Sequence, residues 1–397
     1  MTKHTILFDD ERWNQLLPLT YTRPVSMIRV GILNIKEKWD RMLKTNCHHL
    51  TANYLRKKYP LPETSGQCLM INGGVLPSHD LISRIQQLKV GEAIVAGSKL
   101  IAAILPHAPS SGFSTNPLDY QNAKQIDLEL TEILNPWDIF KLNGMALESD
   151  FELITKGRKS QPISPTNKVL NPERIFIEEG ASVECAVLNA QTGPIYIGVN
   201  AEVMEGSLIR GPFALCESAT LKLGAKIYGP TTIGPYSKVG GEVNNSVIFA
   251  NSNKAHDGFL GNSVIGEWCN LGADTNTSNL KNNYANIKLW NYNKQSFVDT
   301  GLQFCGLIMG DHSKCGINTM FNTGTVVGVS ANIFGDGFPR NFIPSYSWGG
   351  AQGFTLYKIE KALETVEKVF TRRGKELDEI EIDILKQVFD LSAQFRH

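Results

Sequence analysis

Aliphatic residues recur at every sixth position through the middle of the chain. From residue 197, eight consecutive members of this series are Ile, Val or Leu: Ile197, Val203, Ile209, Leu215, Leu221, Ile227, Ile233 and Val239. If about a quarter of all positions carried these residues, chance would produce such a series roughly 10⁻⁵ times per starting point, which decides for a real repeat. The same six-residue spacing returns later in the chain in a shifted phase, from Ile265 to Leu271 and then at Met309, Cys315, Phe321, Val327 and Ile333.

A six-residue period fits neither an amphipathic helix nor a strand of alternating polarity. It fits a prism-shaped coil in which one short strand and its turn form each side and three sides complete one turn. Glycine follows several periodic residues, as at Gly198 and Gly234, and suits the corners of such a coil. This hexapeptide pattern predicts a left-handed parallel β-helix, an exception to right-handed crossover. A β-sandwich is the weaker alternative, because its strands alternate with period two.

The six-residue phase is lost twice, between Val239 and Ile265 and between Leu271 and Met309. We expect both segments to leave the scaffold as long excursions, where binding chemistry usually lies. The first contains His256, within "NKAHDGFLGN", and the second is rich in Asn and Lys. Near the C-terminus, apolar residues at helical spacing, broken by a glycine, predict two helices.

The N-terminal part of the chain has a different pattern. Short apolar runs such as "TILF" and "CLMI" alternate with stretches of helical spacing such as "HDLISRIQQL", which Ser78 would cap. Alternating strands and helices predict an α/β layer. We therefore expect an α/β domain over residues 1–165, a β-helix domain over 166–350 and a helical segment over 351–397.

Composition and charge narrow the possible partners. Lys plus Arg and Asp plus Glu number 39 each, so the chain has no broad basic field for nucleic acid or an anionic membrane. The apolar run at the N-terminus is too short for a signal peptide, and no later run approaches membrane-spanning length. The seven cysteines are scattered without a CxxC pair, which is typical of reduced thiols. We expect a cytoplasmic protein.

The segment "NKAHDGFLGNSVIGEWCNLGADTNTSN" resembles a known acceptor site. In the bacterial bifunctional UDP-N-acetylglucosamine pyrophosphorylase / glucosamine-1-phosphate N-acetyltransferases, a lysine precedes a histidine, an aromatic residue and Leu-Gly follow, and "N-[IL]-G-A-x-T" and an Asn come later. The chain's start, "DD…LPLTYTRPVSMIRVGI", is similar to a divergent branch of that family. The resemblance implies a nucleotidyltransferase-like N-terminal domain and a β-helix acetyltransferase that forms a homotrimer and binds acetyl-CoA between subunits.

The same resemblance implies roles for particular residues. His256 falls on the general base, a role that suits a side chain whose ordinary pKa is close to neutral; a loop histidine bonded to a carbonyl is the alternative. The implied acceptor ligands are Lys254, Phe259, Asn270 and Asn279. The implied acetyl-CoA contacts are Ala273, Asn318 and Thr319. Where the family's glycine loop is lost, the chemistry of the replacing residues predicts Asp9, Asp10, Arg23 and Arg29 as nucleotide ligands, with Asp9 or Asp10 also holding Mg²⁺; a solvated turn whose acids pair with the arginines is the alternative.

Several positions depart from the family pattern. The family's tyrosine after the histidine is Phe259 here, and "GPFALCES" lacks the arginines of the family's "GPFARLRP". An acceptor without that phosphate, or one held by Lys254, Lys281 or Lys288, remains open. In the N-terminal domain, acidic residues and an arginine replace the phosphate-binding glycine loop. The family's metal-binding aspartate falls on Gly74.

Three functional hypotheses follow. The first is a bifunctional enzyme of cell-envelope precursor synthesis, which N-acetylates an amino sugar phosphate from acetyl-CoA and makes a UDP-sugar from UTP. The second is an active acetyltransferase whose head binds nucleotide sugars without turnover; the third is a non-catalytic binding or assembly protein. Loss of the glycine loop favours a silent head, whereas the intact segment 253–279 favours an active acetyltransferase.

Overall fold

The computed structural model describes residues 4–62, 66–109, 113–120 and 122–396. The chain forms two compact units. The first contains the described residues up to Leu16, Thr22–Ile28 and Leu33–Asn135, and the second contains Leu17–Tyr21, Arg29–Ile32 and the chain from Pro136 onward. The main division therefore falls after Asn135, ahead of the expected boundary at residue 165.

The first unit is the expected α/β layer. Its strands are β1 (His4–Phe8), β2 (His48–Leu50), β3 (Cys68–Asn72), β4 (Glu92–Ala96), β5 (Lys99–Leu105) and β6 (Asn122–Gln125). They form one mixed sheet in the order β2-β1-β3-β5-β4-β6. The α-helices are α1 (Arg12–Gln15), α2 (Ile35–Leu43) and α3 (His79–Gln86), with 3₁₀ turns at Val25–Met27, Asn53–Leu55 and Pro117–Asp119. As expected, Ser78 caps α3, because its side chain accepts a hydrogen bond from Leu81 N.

The second unit is a left-handed parallel β-helix, as the repeat predicts. One sheet contains Lys168–Leu170, Val187–Asn189, Leu208–Arg210, Lys226–Tyr228, Glu242–Asn244 and Phe259–Gly261. The second contains Ile175–Ile177, Ile195–Ile197, Phe213–Leu215, Thr231–Ile233, Val247–Ile248, Val264–Ile265, Leu307–Met309, Thr325–Val327 and Phe342–Ile343. The third contains Ser182–Val183, Glu202–Val203, Thr220–Leu221, Lys238–Val239, Asn253–Lys254, Asn270–Leu271, Lys314–Cys315, Asn332–Ile333, Ser347–Gly350 and Gly353–Leu356.

The strand register explains the six-residue period. Ile197 pairs with Leu215, and Leu215 pairs with Ile233, so one coil takes 18 residues, or three sides of six. All eight residues of the first aliphatic series are at most 2% exposed. On each of its three sides, a coil therefore directs one aliphatic side chain inward, where it packs against the equivalent side chains of the preceding and following coils. This stacking gives the unit a continuous core.

The two losses of phase have opposite causes. Val239 pairs with Lys254, only 15 residues later, so the first segment stays within the coil and the expectation of an excursion there was wrong. The turns of this coil are shorter than those of a regular 18-residue coil. Leu271 pairs with Cys315, 44 residues later, so the second segment is an excursion as expected. It contains an antiparallel hairpin of Lys288–Asn291 and Ser296–Asp299, and Asn276–Thr277 pairs with Met320–Phe321.

One corner of the coil repeatedly uses left-handed backbone at residues other than glycine. The residues with positive φ at this corner are Asn200, Ser218, Tyr236, Asn251, Trp268, His312, Ser330 and Tyr346. Such a conformation costs roughly 1–2 kcal/mol for an L-residue, so it persists because the paired strands on both sides fix it. Two of these side chains stack: the rings of Trp268 and His312 are parallel within 2° and 6.4 Å apart.

Three α-helices and two 3₁₀ turns complete the described part of the second unit. They are α4 (Asp138–Thr155), α5 (Ile359–Arg372), α6 (Glu379–Leu391) and the turns Pro172–Arg174 and Ala393–Phe395. The two expected C-terminal helices are confirmed, and Gly374, with φ +67°, lies in the turn between them. Among the described helices, none combines the length and hydrophobicity needed to cross a bilayer.

The segment Arg29–Ile32 belongs to the second unit because α4 ties it to the coil. Asn143 Oδ1 accepts hydrogen bonds from Gly31 N, at 2.7 Å, and from Thr232 Oγ1, at 3.1 Å. Asn143 is fully buried, so these bonds satisfy a polar group that would otherwise be costly.

We predict that Ile209→Ala lowers the free energy of unfolding by about 2–5 kcal/mol, because it leaves a cavity between stacked coils. Ile209 is 2% exposed, whereas the adjacent Leu208 is 49% exposed. Leu208→Ala removes a side chain of similar size and should change stability by less than about 0.5 kcal/mol. Urea unfolding followed by circular dichroism measures both; equal losses would contradict the inward assignment.

Candidate functional sites

A cavity of about 700 Å³ on the β-helix is lined by three residues of the expected acyltransferase site. His256, Asn270 and Ala273 all contribute to its wall, and the side chain of His256 is exposed. The coil brings them together because Asn253, just before His256, pairs in register with Asn270. The site therefore spans two successive coils, which are 17 residues apart at this point.

A tight corner in the preceding coil lies against the His256 turn. The inward residue Val243 follows Val239 by four residues. Their partners in the next coil are Lys254 and Leu260, which are six residues apart. Gly241 makes the short corner possible, because its φ is +70° and a Cβ there would lie 2.8 Å from Asp257 Cα.

Lys254 points into the coil and does not line the cavity. It occupies the inward row between Val239 and Leu271 and is 2% exposed. Its Nζ donates a hydrogen bond of 2.5 Å to His256 O, and burial lowers the pKa of Lys254 to about 8. From inside the coil, this hydrogen bond holds the backbone of the turn that contains His256.

The other expected acceptor ligands lie at a different corner. Phe259 Cζ and Asn279 Nδ2 lie 2.5 and 2.6 Å from the position that a Cβ on Gly261 would take. Asn279 Nδ2 also donates to Asn262 Oδ1, at 2.8 Å. Neither Phe259 nor Asn279 lines the His256 cavity. The structure thus places the four predicted acceptor ligands at three sites: Asn270 on the cavity wall, Lys254 inside the coil, and Phe259 with Asn279 at another corner.

The expected acetyl-CoA contacts lie beside Ala273. Asn318 N donates to Ala273 O at 2.8 Å, so the backbone of the next coil contacts this wall of the cavity. Asn318 is exposed, whereas Thr319 is buried and its hydroxyl donates to Gly316 O at 2.8 Å. Of these three residues, only Ala273 lines the cavity.

The helix α5 supplies residues that the sequence analysis did not find. Val369, Arg372 and Arg373 line the same cavity as His256. Arg373 donates to Tyr236 O at 2.9 Å and to Asn253 Oδ1 at 3.2 Å. The pair of arginines before a glycine was visible in the sequence, but nothing in its local pattern indicated which surface the helix would cover.

Lys281 and Lys288, the alternative phosphate ligands, line a separate cavity of about 760 Å³. Arg340 and Trp290 also contribute to it, and Trp290 stacks on Phe342 with ring centroids 4.2 Å apart. His256 is not part of this wall, so the structure does not bring these lysines to the His256 cavity.

In the first unit, Asp9 and Asp10 line a cavity of about 350 Å³ at the end of β1. Asp9 Oδ1 accepts a hydrogen bond from Val25 N, at 2.9 Å, and Oδ2 accepts one from the Thr51 hydroxyl, at 2.6 Å. Burial raises the pKa of Asp9 to about 7. Arg56 lines the same cavity.

The two arginines expected as phosphate ligands do not line this cavity. Arg23 is 3% exposed. Arg29 belongs to the second unit, where its guanidinium donates to Ile32 O. The acidic residue Asp10 instead contacts Arg12, with Arg12 N donating to Asp10 Oδ1 at 3.0 Å.

Arg12 fills the space beside Gly74. Its buried guanidinium donates to Asn72 Oδ1 and to Glu132 Oε2, both at 2.6 Å. A Cβ on Gly74 would lie 2.8 Å from Arg12 Cδ, so any side chain at position 74 would displace the arginine. The Arg12 guanidinium therefore occupies the space that the side chain of the family's metal-binding aspartate would take at this position.

These residues do not form a ready magnesium site. Both oxygens of Asp9 already accept hydrogen bonds, and Asp10 accepts from Arg12 N and from Asn72 Nδ2. Within the described residues there is no group of three or more His, Cys, Asp or Glu side chains that could hold a metal ion. Mg²⁺ binding at Asp9 and Asp10 stays a prediction.

Comparison with known proteins agrees with the expected resemblance. Residues 5–159 match the family model described as sugar nucleotidyl transferase. The chain is 30% identical over 197 residues to the bifunctional protein GlmU of Methanocaldococcus jannaschii, covering 50% of this chain and 41% of that protein. It is 29% identical over 205 residues to the bifunctional sugar-1-phosphate nucleotidylyltransferase/acetyltransferase of Sulfurisphaera tokodaii, covering 51% and 44%.

The sequence matches cover part of each relative. The chain spans less than half the length of these two relatives. Among solved structures, the UDP-N-acetylglucosamine acyltransferase of Francisella novicida is 13% identical to this chain. The aligned region covers 56% of this chain and 79% of that chain, with a TM-score of 0.32. The sequence matches confirm the resemblance to bifunctional sugar nucleotidyltransferase/acetyltransferases at modest identity, and these relatives are transferases.

We predict that Asp9→Asn stabilises the protein above neutral pH. The folded-state pKa of Asp9 is raised to about 7, so the folded protein binds this proton more tightly than the unfolded chain does. Proton binding therefore stabilises the folded wild type at low pH, and that stabilisation is lost as the pH rises from about 4 through 7. The variant cannot ionise, so its melting temperature relative to wild type should increase between pH 4 and 8. Calorimetry measures both; a difference that does not change with pH would contradict this.

Proposed function

We propose that the second unit is an acetyl-CoA-dependent N-acetyltransferase that acts on an amino sugar phosphate, with His256 as general base. The observation that supports this most is that His256, Asn270 and Ala273, each assigned from sequence, line one cavity. Relatives that carry both nucleotidyltransferase and acetyltransferase names support the same class of reaction. We also propose a cytoplasmic homotrimer that makes a cell-envelope precursor.

In this proposal the residues of the cavity divide the chemical work. The imidazole of His256 takes a proton from the amino group as its nitrogen attacks the thioester carbonyl. The C–S bond then breaks, and the CoA thiolate leaves and is protonated. Asn270 orients the sugar. The carbonyl of Ala273 already accepts a bond from Asn318 N, so we assign the N–H of Ala273 to the acetyl oxygen, where a fixed backbone donor stabilises developing charge.

For the first unit we propose nucleotide-sugar binding at the Asp9 and Asp10 cavity, with UDP-sugar formation from UTP as its activity. The match of residues 5–159 to sugar nucleotidyl transferases supports this class. One specific observation favours the second candidate, a head that binds without turnover: Asp9 is engaged by internal hydrogen bonds, and Arg12 fills the place beside Gly74. A non-catalytic protein throughout is the third candidate.

We predict that His256→Ala lowers the rate of thiol release from acetyl-CoA by 100-fold or more, because general base catalysis contributes about 10²–10⁴-fold. Purified protein would be given acetyl-CoA and a series of amino sugar phosphates, and free thiol would be followed by absorbance. His79→Ala, at an exposed helix start in the first unit, is the matched control. If both variants retain wild-type rates, the assignment of His256 is wrong.

We predict that Arg56→Ala weakens UDP-N-acetylglucosamine binding by about fivefold or more, because Arg56 lines the cavity and a guanidinium is a strong phosphate ligand. Calorimetry measures the affinity, and pyrophosphate release from UTP, Mg²⁺ and a sugar phosphate is followed separately. Binding without pyrophosphate identifies a silent head. Equal affinity in wild type and variant would exclude this cavity as the nucleotide site.

A further inference from the structure

Helix α5 is held on the coil by one apolar stripe. Ala362, Val366 and Phe370 are each at most 5% exposed and recur every four residues, so they form one face of the helix. The Phe370 ring lies 4.2 Å from the Trp268 ring at the left-handed corner of the coil. This packing fixes the rotation of α5 about its axis.

With that rotation fixed, a second face of α5 meets the His256 cavity. Val369, Arg372 and Arg373 all line the cavity, at the spacing of neighbours on one helix face. The last turn of α5 and the residue after it therefore form one side of the proposed acyltransferase site. The opposite side is the coil itself.

The lining of this cavity is positively charged. Lys238, Lys314, Arg372 and Arg373 contribute four cations, and none of the residues that line it is acidic. The whole chain has equal numbers of acidic and basic residues, so this concentration of charge is a local feature. A recess lined by positively charged side chains attracts and concentrates anionic ligands.

Two of the four cations already donate hydrogen bonds to carbonyl or amide oxygens of the protein itself. Arg373 donates to Tyr236 O and to Asn253 Oδ1, and Lys314 Nζ donates to His312 O at 2.9 Å. Burial lowers the pKa of Arg373, and the neighbouring charge of Arg372 lowers it further. Two adjacent guanidinium groups repel each other, and an anion bound between them would relieve that repulsion.

Of the two cations that remain for a ligand, Lys238 and Arg372, only Arg372 carries a guanidinium group. It is exposed, and within the described residues its guanidinium makes no hydrogen bond or ion pair to the protein. A guanidinium presents a planar fork that matches two oxygens of a phosphate group.

We infer that Arg372 binds a phosphate group of a substrate in the His256 cavity, so that helix α5 is part of the acyltransferase site. The inference rests on the proposed acyl transfer for its kinetic test. The shared chemistry is a phosphate ester, which either the acceptor sugar or CoA supplies. Arg373 is a positioning residue, because it holds Asn253, whose Nδ2 lies 3.5 Å from Asn270 Oδ1.

The test compares Arg372→Gln and Arg372→Lys with Lys368→Gln. Lys368 is on the same helix, is 74% exposed and does not line the cavity, so its variant makes the same charge change elsewhere. We expect Arg372→Gln to raise the KM of the phosphorylated substrate about tenfold or more with kcat changed less than threefold. Arg372→Lys should restore part of the loss, because it keeps the charge without the fork.

Dephosphorylated substrates identify the source of the phosphate. If the sugar phosphate binds Arg372, the variant raises the KM for glucosamine-1-phosphate but not for glucosamine. If CoA supplies the phosphate, it raises the KM for acetyl-CoA but not for S-acetylpantetheine. Either result supports the inference. Values of both KM within twofold of wild type and of Lys368→Gln would overturn it.

A binding measurement separates this inference from the proposed function. Calorimetry with glucosamine-1-phosphate and with CoA needs no turnover and applies to His256→Ala as well as to wild type. Should wild type release no thiol, the acyltransferase proposal fails, and weaker phosphate-ester binding by Arg372→Gln still supports the inference. Equal binding by wild type and Arg372→Gln, or no binding by wild type, overturns it.

Discussion

The structure of the second unit depends on one packing requirement: each side of each coil must direct one apolar side chain inward. Stacked inward residues such as Ile197, Leu215 and Ile233 fix the register of every strand pair around them. A fixed register then fixes the height of each outward residue along the coil. Asn253 and Asn270 meet for this reason, and so do the residues of the cavity that follow them. The residues of the proposed site therefore lie on a scaffold that tolerates little movement.

This requirement also decides what the sequence can predict. The inward period and the helical spacing near the C-terminus are local, so the β-helix and both terminal helices could be expected from the sequence. The orientation of Lys254 could not, because the phase shifts within its coil and the residue falls on the inward row. Arg372 could not be assigned either, since its place at the cavity depends on contact between Phe370 and Trp268, more than a hundred residues apart in sequence.

In the first unit, two departures from the family pattern explain each other. The arginine at position 12 and the glycine at position 74 are unusual separately, but the guanidinium occupies the space that a side chain at Gly74 would need. Asn72 and Glu132 each accept a hydrogen bond from it, and the Glu132 carboxylate pairs with the buried charge. A residue-by-residue comparison of motifs treats these as two losses. Geometrically the two changes are linked, because the Arg12 guanidinium lies beside β3 in the space that a side chain at position 74 would need.

The short corner at Gly240 and Gly241 has a wider consequence for solenoid proteins. Removing residues from one turn leaves the interior intact, because the strands on either side keep their partners. It changes only the outline of the surface, and the turn bearing His256 rests on that narrowed step. A shortened turn can therefore form a recess in a repetitive surface without an added loop that must be ordered at an entropic cost. A shortened repeat marks such a place as clearly as an inserted segment does.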